Sequence, residues 1–142
     1  AAYEELDVKE QPGATELFQR LRDRGIRVVL NTGYDRATAT KLIDKIGWKI
    51  GDDIDGLVTA SDVTRGRPHA DMIIKAMHDL GVESPDRVVK IGDSKIDIDE
   101  GRDADCVMCI GITTGAQTRE QLEQANPTHI IESLADLMAL FD

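Results

Sequence analysis

Four acidic side chains follow the apolar run at residues 88–91, within the segment KIGDSKIDIDEG: Asp93, Asp97, Asp99 and Glu100. Gly92 lets the chain turn where a strand ends, and Asp97 lies one helical turn beyond Asp93, so both carboxylates can face one point. Mg²⁺ takes oxygen ligands from one or two carboxylates and keeps several waters. The spacing therefore predicts a Mg²⁺ site at Asp93 and Asp97. Asp99 and Glu100 are expected on the solvated face of the helix; a solvated loop throughout is the alternative.

A second polar signature follows the apolar run RVVL. Thr32 brings a hydroxyl, and Gly33 an accessible backbone N–H, to the end of a predicted strand. Phosphate oxygens suit such donors. A Thr-Gly turn after a strand is also common where nothing binds, so both interpretations stay open on these residues alone.

Arg67 is the third candidate, in the sequence GRP directly before a predicted helix. A guanidinium can hold a phosphate through two hydrogen bonds and offset nearby carboxylates. An arginine at the protein surface is the alternative. His69, close behind, is interpreted as a capping or solvent-facing residue.

Helices and strands alternate through the chain. Helical patterns lie at 12–25, 35–47, 68–81, 95–104, 119–125 and 133–141, and strand patterns at 26–33, 57–59, 87–92, 106–112 and 128–131. Because the strands are continuously apolar, we predict a Rossmann-like α/β fold, a parallel sheet with helices on both faces. Ligands bind such sheets beyond the carboxyl ends of the strands, where Thr32, Arg67 and Asp93 are expected.

Length and composition limit the classes of protein to consider. The 142 residues fit one domain, assigned to 1–142, of ordinary globular composition with 41% hydrophobic and 31% charged residues. Acidic residues outnumber basic ones by 27 to 17, and no basic stripe is visible, so no nucleic-acid partner is expected. No segment approaches the ~18 apolar residues of a membrane span. We therefore expect no membrane partner and a cytoplasmic location.

Cys106 and Cys109 form a CxxC pattern. The apolar residues around them predict a buried strand. A second ligand pair for zinc is missing from the sequence, and a redox CxxC normally opens a helix. We therefore predict a structural role for both thiols.

Taken together and in this order, LNTGYDR, GRPHADMI and VVKIGDSKIDIDEGRDADC resemble the second, third and fourth motifs of the haloacid dehalogenase superfamily. The resemblance is strongest to its phosphonatase-like and phosphoglycolate phosphatase-like hydrolases. GITTGAQTREQL and THIIESLADL also resemble closing segments of that group, so the resemblance covers almost the whole chain. It implies a haloacid dehalogenase-like core.

The resemblance also implies a function and residue roles. It implies a magnesium-dependent phosphohydrolase that acts on a small phosphorylated substrate through an aspartyl-phosphate intermediate. Thr32 and Gly33 would bind the phosphoryl group, and Arg67 would stabilise its charge. Asp93, with Asp97 beside it, would hold Mg²⁺.

The sequence departs from the family at the nucleophile. The family carries an Asp-x-Asp-Gly-Thr type motif at the end of its first strand, and nothing before residue 12 resembles it. Asp53 and Asp55 in DIDG are no substitute, because the stretch before them, WKIGDD, is mostly polar rather than an apolar strand. We therefore expect the C-terminal part of a longer hydrolase, inactive alone, without the central first strand and most of the helical cap. The Schiff-base lysine of phosphonatases belongs to that cap.

In the family the first strand lies between the strands that here read RVVLNT and RVVKIG. Without it, both strands would show an open edge, and open edges invite pairing. We expect an N-terminal segment or a second copy of the chain to complete the sheet, or the gap to close directly.

Two other classes of function stay open. A non-catalytic remnant that binds phosphate and Mg²⁺, or acts as an interaction module, predicts binding without turnover. A receiver-type signalling domain would need a phosphorylatable aspartate at the end of a central strand, and neither NTG nor DIDG provides one.

Overall fold

The computed structural model describes residues 14–66, 69–114 and 117–141. Helices and strands alternate through these ranges, as the sequence predicts. The helices are α1 (Ala14–Asp23), α2 (Arg36–Ile46), α3 (Asp71–Leu80), α4 (Lys95–Asp103) and α5 (Arg119–Glu123). The strands are β1 (Val29–Thr32), β2 (Gly56–Thr59), β3 (Val89–Gly92), β4 (Met108–Ile112) and β5 (His129–Ile131). Short 3₁₀ helices span Ala60–Asp62, Pro85–Arg87 and Leu134–Phe141.

All strand pairs are parallel, which confirms the predicted α/β class. Within the described ranges the strands form two sheets, β1–β2 and β3–β4–β5. Thr32 pairs with Thr59 at the carboxyl end of the first sheet, and Gly92 pairs with Gly111 at the carboxyl end of the second. In these ranges β1 and β3 each pair on one side only, which leaves the edges that the sequence predicts for a core without its central strand.

Helices cover both faces of the larger sheet. On one face, α1 and the last 3₁₀ helix pack on apolar side chains of β4 and β5; the buried members of this cluster are Leu17, Leu21, Ile110, Ile112, Ile131, Leu137 and Met138. On the opposite face, Ile98 of α4 and Leu122 of α5 pack on Cys109. The alternation of Cys109 and Ile110 between the two faces follows from the two-residue period of a strand.

The smaller sheet carries its own apolar cluster. Ala39 and Ile43 of α2 pack against Leu57 of β2. Asp35 caps α2, since its side chain accepts a hydrogen bond from the Thr38 N–H. Gly47 ends the helix with φ 94°, a left-handed conformation that glycine adopts without the usual steric cost. Both caps were expected from the sequence.

The C-terminal segment differs from the prediction. The sequence predicts a helix, and residues Leu134–Phe141 form a 3₁₀ helix rather than an α-helix. The three-residue spacing of Leu134, Leu137 and Leu140 explains the difference, because a 3₁₀ helix has three residues per turn and places all three leucines on one core-facing side. Among the described residues, no helix is both long and apolar enough to cross a membrane.

Candidate functional site

The turn after β3 holds the two aspartates predicted to bind metal. Ser94 caps α4, and its hydroxyl donates a hydrogen bond to Asp97 Oδ2 at 3.0 Å. The same Oδ2 accepts the backbone N–H of Asp93 at 3.1 Å. The Asp97 carboxylate therefore contacts the backbone of Asp93. Asp97 is buried, at 5% exposure. The structure therefore brings the two predicted residues together at the carboxyl end of β3.

Gly92 makes this arrangement sterically feasible. A Cβ atom built on Gly92 would lie 2.1 Å from Asp97 Cβ and 2.4 Å from its Oδ2. Atoms cannot approach so closely, so any side chain at residue 92 would displace Asp97. Gly92, which the sequence analysis assigned to a sharp turn, therefore also leaves space for the Asp97 carboxylate.

A loop after β4 holds the same turn from the other side. Gln117 Oε1 accepts the backbone N–H of Lys95 at 2.6 Å, and the Gln117 N–H donates to the Asp93 carbonyl at 3.2 Å. Lys95 is the first residue of α4, and the N–H groups in the first turn of a helix have no partner inside the helix. Gln117 was not identified from the sequence, and a single glutamine in a polar loop carries no signal of this contact.

Thr32 ends β1 and is buried, at 7% exposure, while Gly33 is exposed. The Thr32 Oγ1 atom accepts the backbone N–H of Tyr34 at 3.2 Å. A hydroxyl has one proton to donate and two lone pairs. The contact with Tyr34 fixes the side chain while using only an acceptor position.

Side-chain contacts join β1 and β3, although the two strands belong to different sheets. Lys90 Nζ of β3 donates to Asn31 Oδ1 of β1 at 2.8 Å. Asn31 directly precedes Thr32, and Lys90 precedes Asp93 by three residues. This contact links the two strands whose ends carry the predicted phosphate-binding and metal-binding residues.

The placement of Glu100 corrects one expectation. The sequence analysis put Glu100 on the solvated face of its helix, and the side chain is instead 0% exposed. It lies against Lys90, with Glu100 Oε1 3.0 Å from Lys90 Nζ. The prediction was wrong because it grouped Glu100 with Asp99, as an acid without a buried partner. The signal that could have corrected it is Lys90 itself, a charged residue inside the apolar strand VVKIG that requires a buried partner.

Arg67 and Pro68 lie outside the described residues, so the predicted position of Arg67 stays a prediction. The segments on either side are held in place. Arg65 Nη2 pairs with Asp71 Oδ1 at 2.9 Å, and the Ala70 N–H donates to Asp103 Oδ2 at 2.8 Å. Hydrogen bonding from Arg65 lowers the pKa of the Asp71 carboxyl.

A second ion pair lies beside the carboxyl ends of β1 and β2. Asp62 accepts from Arg36 Nη2 at 2.6 Å and from the backbone N–H of Thr59 at 2.8 Å. Hydrogen bonding from Arg36 lowers the pKa of the Asp62 carboxyl to about 2. Arg36 Nη2 also donates to the Leu57 carbonyl at 2.9 Å. These contacts fix the start of α2 against the segment that leads toward Arg67.

Asp53 and Asp55, which the sequence analysis rejected as a nucleophile motif, lie at the opposite, amino-terminal end of the strands. The Lys49 N–H donates to Asp53 Oδ2 at 2.8 Å, and the Val28 N–H donates to Asp55 Oδ2 at 2.7 Å. A cleft of about 350 Å³ opens beside them, between α1 and residues 52–55. This cleft is separate from the carboxyl-end site.

The donor set at the end of β3 fits a hard cation. The described residues contain no group of three or more His, Cys, Asp or Glu side chains placed to share a metal ion. Asp93 and Asp97 offer oxygen atoms only, and two carboxylates match the needs of Mg²⁺, which completes its coordination with waters or substrate. Zinc would require nitrogen or sulfur ligands in larger number.

The two cysteines form no disulfide. Cys109 is buried in β4, as predicted, whereas Cys106 precedes the strand and is only partly buried. Burial raises the pKa of the Cys106 thiol to about 12 and also raises that of Cys109. Both thiols are therefore protonated at neutral pH, which agrees with a structural role.

This fold is that of the haloacid dehalogenase-like hydrolases. The family matches residues 2–105, and the chain belongs to it. Its sequence relatives lie on the phosphonatase side of the superfamily, as the motifs indicated. The chain is 38% identical over 126 residues to the phosphonoacetaldehyde hydrolase of Parabacteroides distasonis; the match covers 87% of this chain and 47% of that protein.

Solved structures agree with this assignment. A hydrolase from Pseudomonas syringae superimposes with a TM-score of 0.84 at 27% identity, over 99% of this chain and 64% of that one. A phosphonoacetaldehyde hydrolase-like protein from Oleispira antarctica superimposes with a TM-score of 0.79 at 27% identity, over 91% of this chain and 54% of that one. The chain thus spans about half the length of the curated relatives it matches.

Proposed function

We propose that this chain carries the phosphate- and metal-binding part of a magnesium-dependent phosphohydrolase that acts through an aspartyl-phosphate intermediate. The nucleophilic aspartate would lie outside the sequence printed here. The observation that supports the proposal most directly is the Asp97 carboxylate seated on the Asp93 N–H at the end of β3. The Asn31–Lys90 contact supports a common location for Thr32 and Asp93.

Each residue has a role in this proposal. The Thr32 hydroxyl donates its proton to an oxygen of the phosphoryl group, while its oxygen accepts from the Tyr34 N–H. Arg67 offsets negative charge on the same group. Asp93 and Asp97 hold Mg²⁺, which when bound offsets the charge that develops on the phosphoryl oxygens. Catalysis of this kind is positioning plus electrostatic stabilisation around an in-line displacement.

The names of the relatives suggest the class of substrate. Several are phosphonoacetaldehyde hydrolases, so a small aldehyde-bearing phosphonate is the first candidate. Small phosphate esters are the second. Both classes of substrate belong in the assay.

The gap beside β1 and β3 also concerns this proposal. We propose that a strand from an N-terminal segment, or from a second copy of the chain, completes the sheet there. The mass in solution separates the two: a monomer that gains stability when an upstream segment is added supports the first, and a dimer supports the second.

The decisive experiment extends the chain upstream of Ala1 with the segment found in its coding sequence. The extended protein should hydrolyse p-nitrophenyl phosphate or phosphonoacetaldehyde in the presence of Mg²⁺. Asp93→Asn should abolish this turnover, whereas the matched Asp53→Asn, at the opposite end of the strands, should retain it. Turnover that survives Asp93→Asn would overturn the metal assignment. Phosphate binding without turnover in the extended protein would support the non-catalytic remnant instead.

A further inference from the structure

Four polar side chains meet in the interior between the two sheets, and we call them the Lys90 network: Asn31, Lys90, Asp97 and Glu100. Lys90 is 8% exposed and Glu100 is 0% exposed. Charged side chains are seldom buried to this degree unless they are paired, because removal from water costs several kcal/mol per ion. A cluster retained at such a cost requires an explanation.

The network is centred on the Lys90 ammonium group. Its Nζ lies 2.8 Å from Asn31 Oδ1, 3.0 Å from Glu100 Oε1 and 3.8 Å from Asp97 Oδ1. Asn31 also contacts Glu100 directly, since its Nδ2 donates a hydrogen bond to Glu100 Oε2 at 3.1 Å. Glu100 Oε1 accepts no hydrogen bond from any described residue, so the nearby ammonium charge is what compensates it.

The backbone of α4 is placed so that this network can form. Gly101, next to Glu100, lies so close to β3 that an added Cβ would be 2.9 Å from Lys90 Cβ and 2.9 Å from Cys109 Sγ. This close approach carries the Glu100 side chain into the interior. Lys90 therefore contacts β1 through Asn31 and α4 through Asp97 and Glu100.

We propose that Lys90 is a positioning residue that fixes the Thr32 end of β1 relative to the Asp93–Asp97 turn. The inference rests on the proposed function, in which one phosphoryl group must reach both places, and productive geometry tolerates little displacement. In this proposal Lys90 acts through Asn31 and Asp97 rather than by binding the substrate or the metal. Its ammonium group holds together two strand ends that share no backbone pairing in the described ranges.

The physical argument depends on charge. Asp97 and Glu100 are three residues apart on one helix, so their like charges repel when nothing lies between them. Without the ammonium group, the Asp97 carboxylate is no longer attracted toward β3. Its hydrogen bond from the Asp93 N–H is then weakened. Asn31 would lose its partner on β3 at the same time.

The test compares three variants of the 142-residue chain, without added metal. They are Lys90→Met, the double variant Lys90→Met with Glu100→Gln, and the control Lys75→Met, whose lysine pairs with Asp79 on the surface at 3.1 Å. Amide hydrogen exchange is followed at Asp93 and Tyr34, which report the two strand ends. Thermal unfolding reports global stability.

We expect exchange at the Asp93 amide to rise about tenfold or more in Lys90→Met, with a smaller rise at Tyr34 and no change in the control. The double variant removes both buried charges, so its thermal midpoint should recover toward wild type while exchange at Asp93 stays fast. If Lys90→Met does not fold, the double variant alone carries the comparison.

Two results would overturn the inference: wild-type exchange at Asp93 in folded Lys90→Met, or full recovery of that exchange in the double variant. The second would mean that Lys90 only neutralises Glu100. In the upstream-extended protein, Lys90→Met should lower kcat about 10- to 100-fold with a smaller change in KM. Because the exchange test uses no metal or substrate, absence of Mg²⁺-dependent turnover in the wild type would count against the proposed function alone.

Discussion

Two acidic segments of this chain have similar compositions and opposite locations. DDIDG, at 52–56, leads into β2, and GDSKIDIDEG, at 92–101, begins at the last residue of β3. In the first, Asp53 and Asp55 accept backbone N–H groups and shape a turn at the amino ends of the strands. In the second, Asp97 is drawn back to the carboxyl end of β3. The comparison teaches that strand direction, rather than the number of acids, distinguishes a structural turn from a candidate site.

The largest effect is expected from Gly92, the glycine of the second segment. Gly92→Ala places a Cβ 2.1 Å from Asp97 Cβ, so Asp97 must leave its position. We expect a loss of about 3 kcal/mol in the free energy of unfolding, in the range of overpacking, together with loss of turnover in the extended protein. Urea unfolding and a phosphate-ester assay measure the two effects.

Gly56→Ala is the matched control, because an added Cβ there meets Val29 at an ordinary distance of 3.6 Å. Its unfolding free energy should change by less than about 1 kcal/mol. Equal losses in the two alanine variants would remove the distinction between the segments.

The second effect concerns the carboxylates themselves. Asp97→Asn keeps an oxygen that can accept from the Asp93 N–H but removes the charge, so we expect turnover of the extended protein to fall on the order of 100-fold. Stability should fall far less than in Gly92→Ala. Asp53→Asn, by contrast, should leave turnover within about twofold, since a surface substitution changes free energies by about 0.5 kcal/mol. Steady-state kinetics over a range of Mg²⁺ concentrations decides between these outcomes.

The sequence predicted most of the fold because its signals are local. The cap at Asp35, the stop at Gly47 and the apolar strand runs each depend on neighbouring residues, and the structure confirms them. Within the described ranges β1 and β3 are not paired with each other, which agrees with the open edges expected where the family's first strand lies. The type of the last helix was missed, although the three-residue spacing of Leu134, Leu137 and Leu140 is a local signal for the 3₁₀ form.

The candidate site was only partly predictable, and the failure at Glu100 shows why. Periodicity alone assigns an acidic residue to the solvent face of a helix, because an unpaired buried charge is so costly. The assignment reverses when a distant residue supplies the partner, and Lys90 lies ten residues away on another element. Such a pairing is a tertiary property. A lysine in an apolar strand is the one local signal that points toward it.

Substitutions in the DDIDG segment should change the stability of the protein rather than its turnover. Asp55 Oδ2 accepts the Val28 N–H at 2.7 Å, and Asp55 Oδ1 lies 3.4 Å from Arg22 Nη2. Asp55→Ala leaves the partly buried Val28 N–H without this acceptor, so we expect a loss of about 1 to 2 kcal/mol in the free energy of unfolding. Turnover of the folded, extended protein should not change. Asp52→Ala, at an exposed neighbour, should be close to neutral, and an equal loss there would contradict the role of the hydrogen bond.

The smallest effect is a dependence of stability on pH that arises at Asp62, beside the carboxyl ends of β1 and β2. Its pKa is about 2 in the folded chain, against an ordinary value of 3.8, because Arg36 donates hydrogen bonds to it. A depressed folded pKa means that the stabilisation is complete above about pH 4 and is lost as the pH falls toward 2. The full shift would correspond to about 2 kcal/mol, and solvent screening at the half-exposed Arg36 reduces the expected loss to about 1 kcal/mol. Urea unfolding at pH 5 and pH 3 should show a smaller decrease for Asp62→Asn than for the wild type. Identical decreases in both proteins would mean that another carboxylate carries the acid sensitivity.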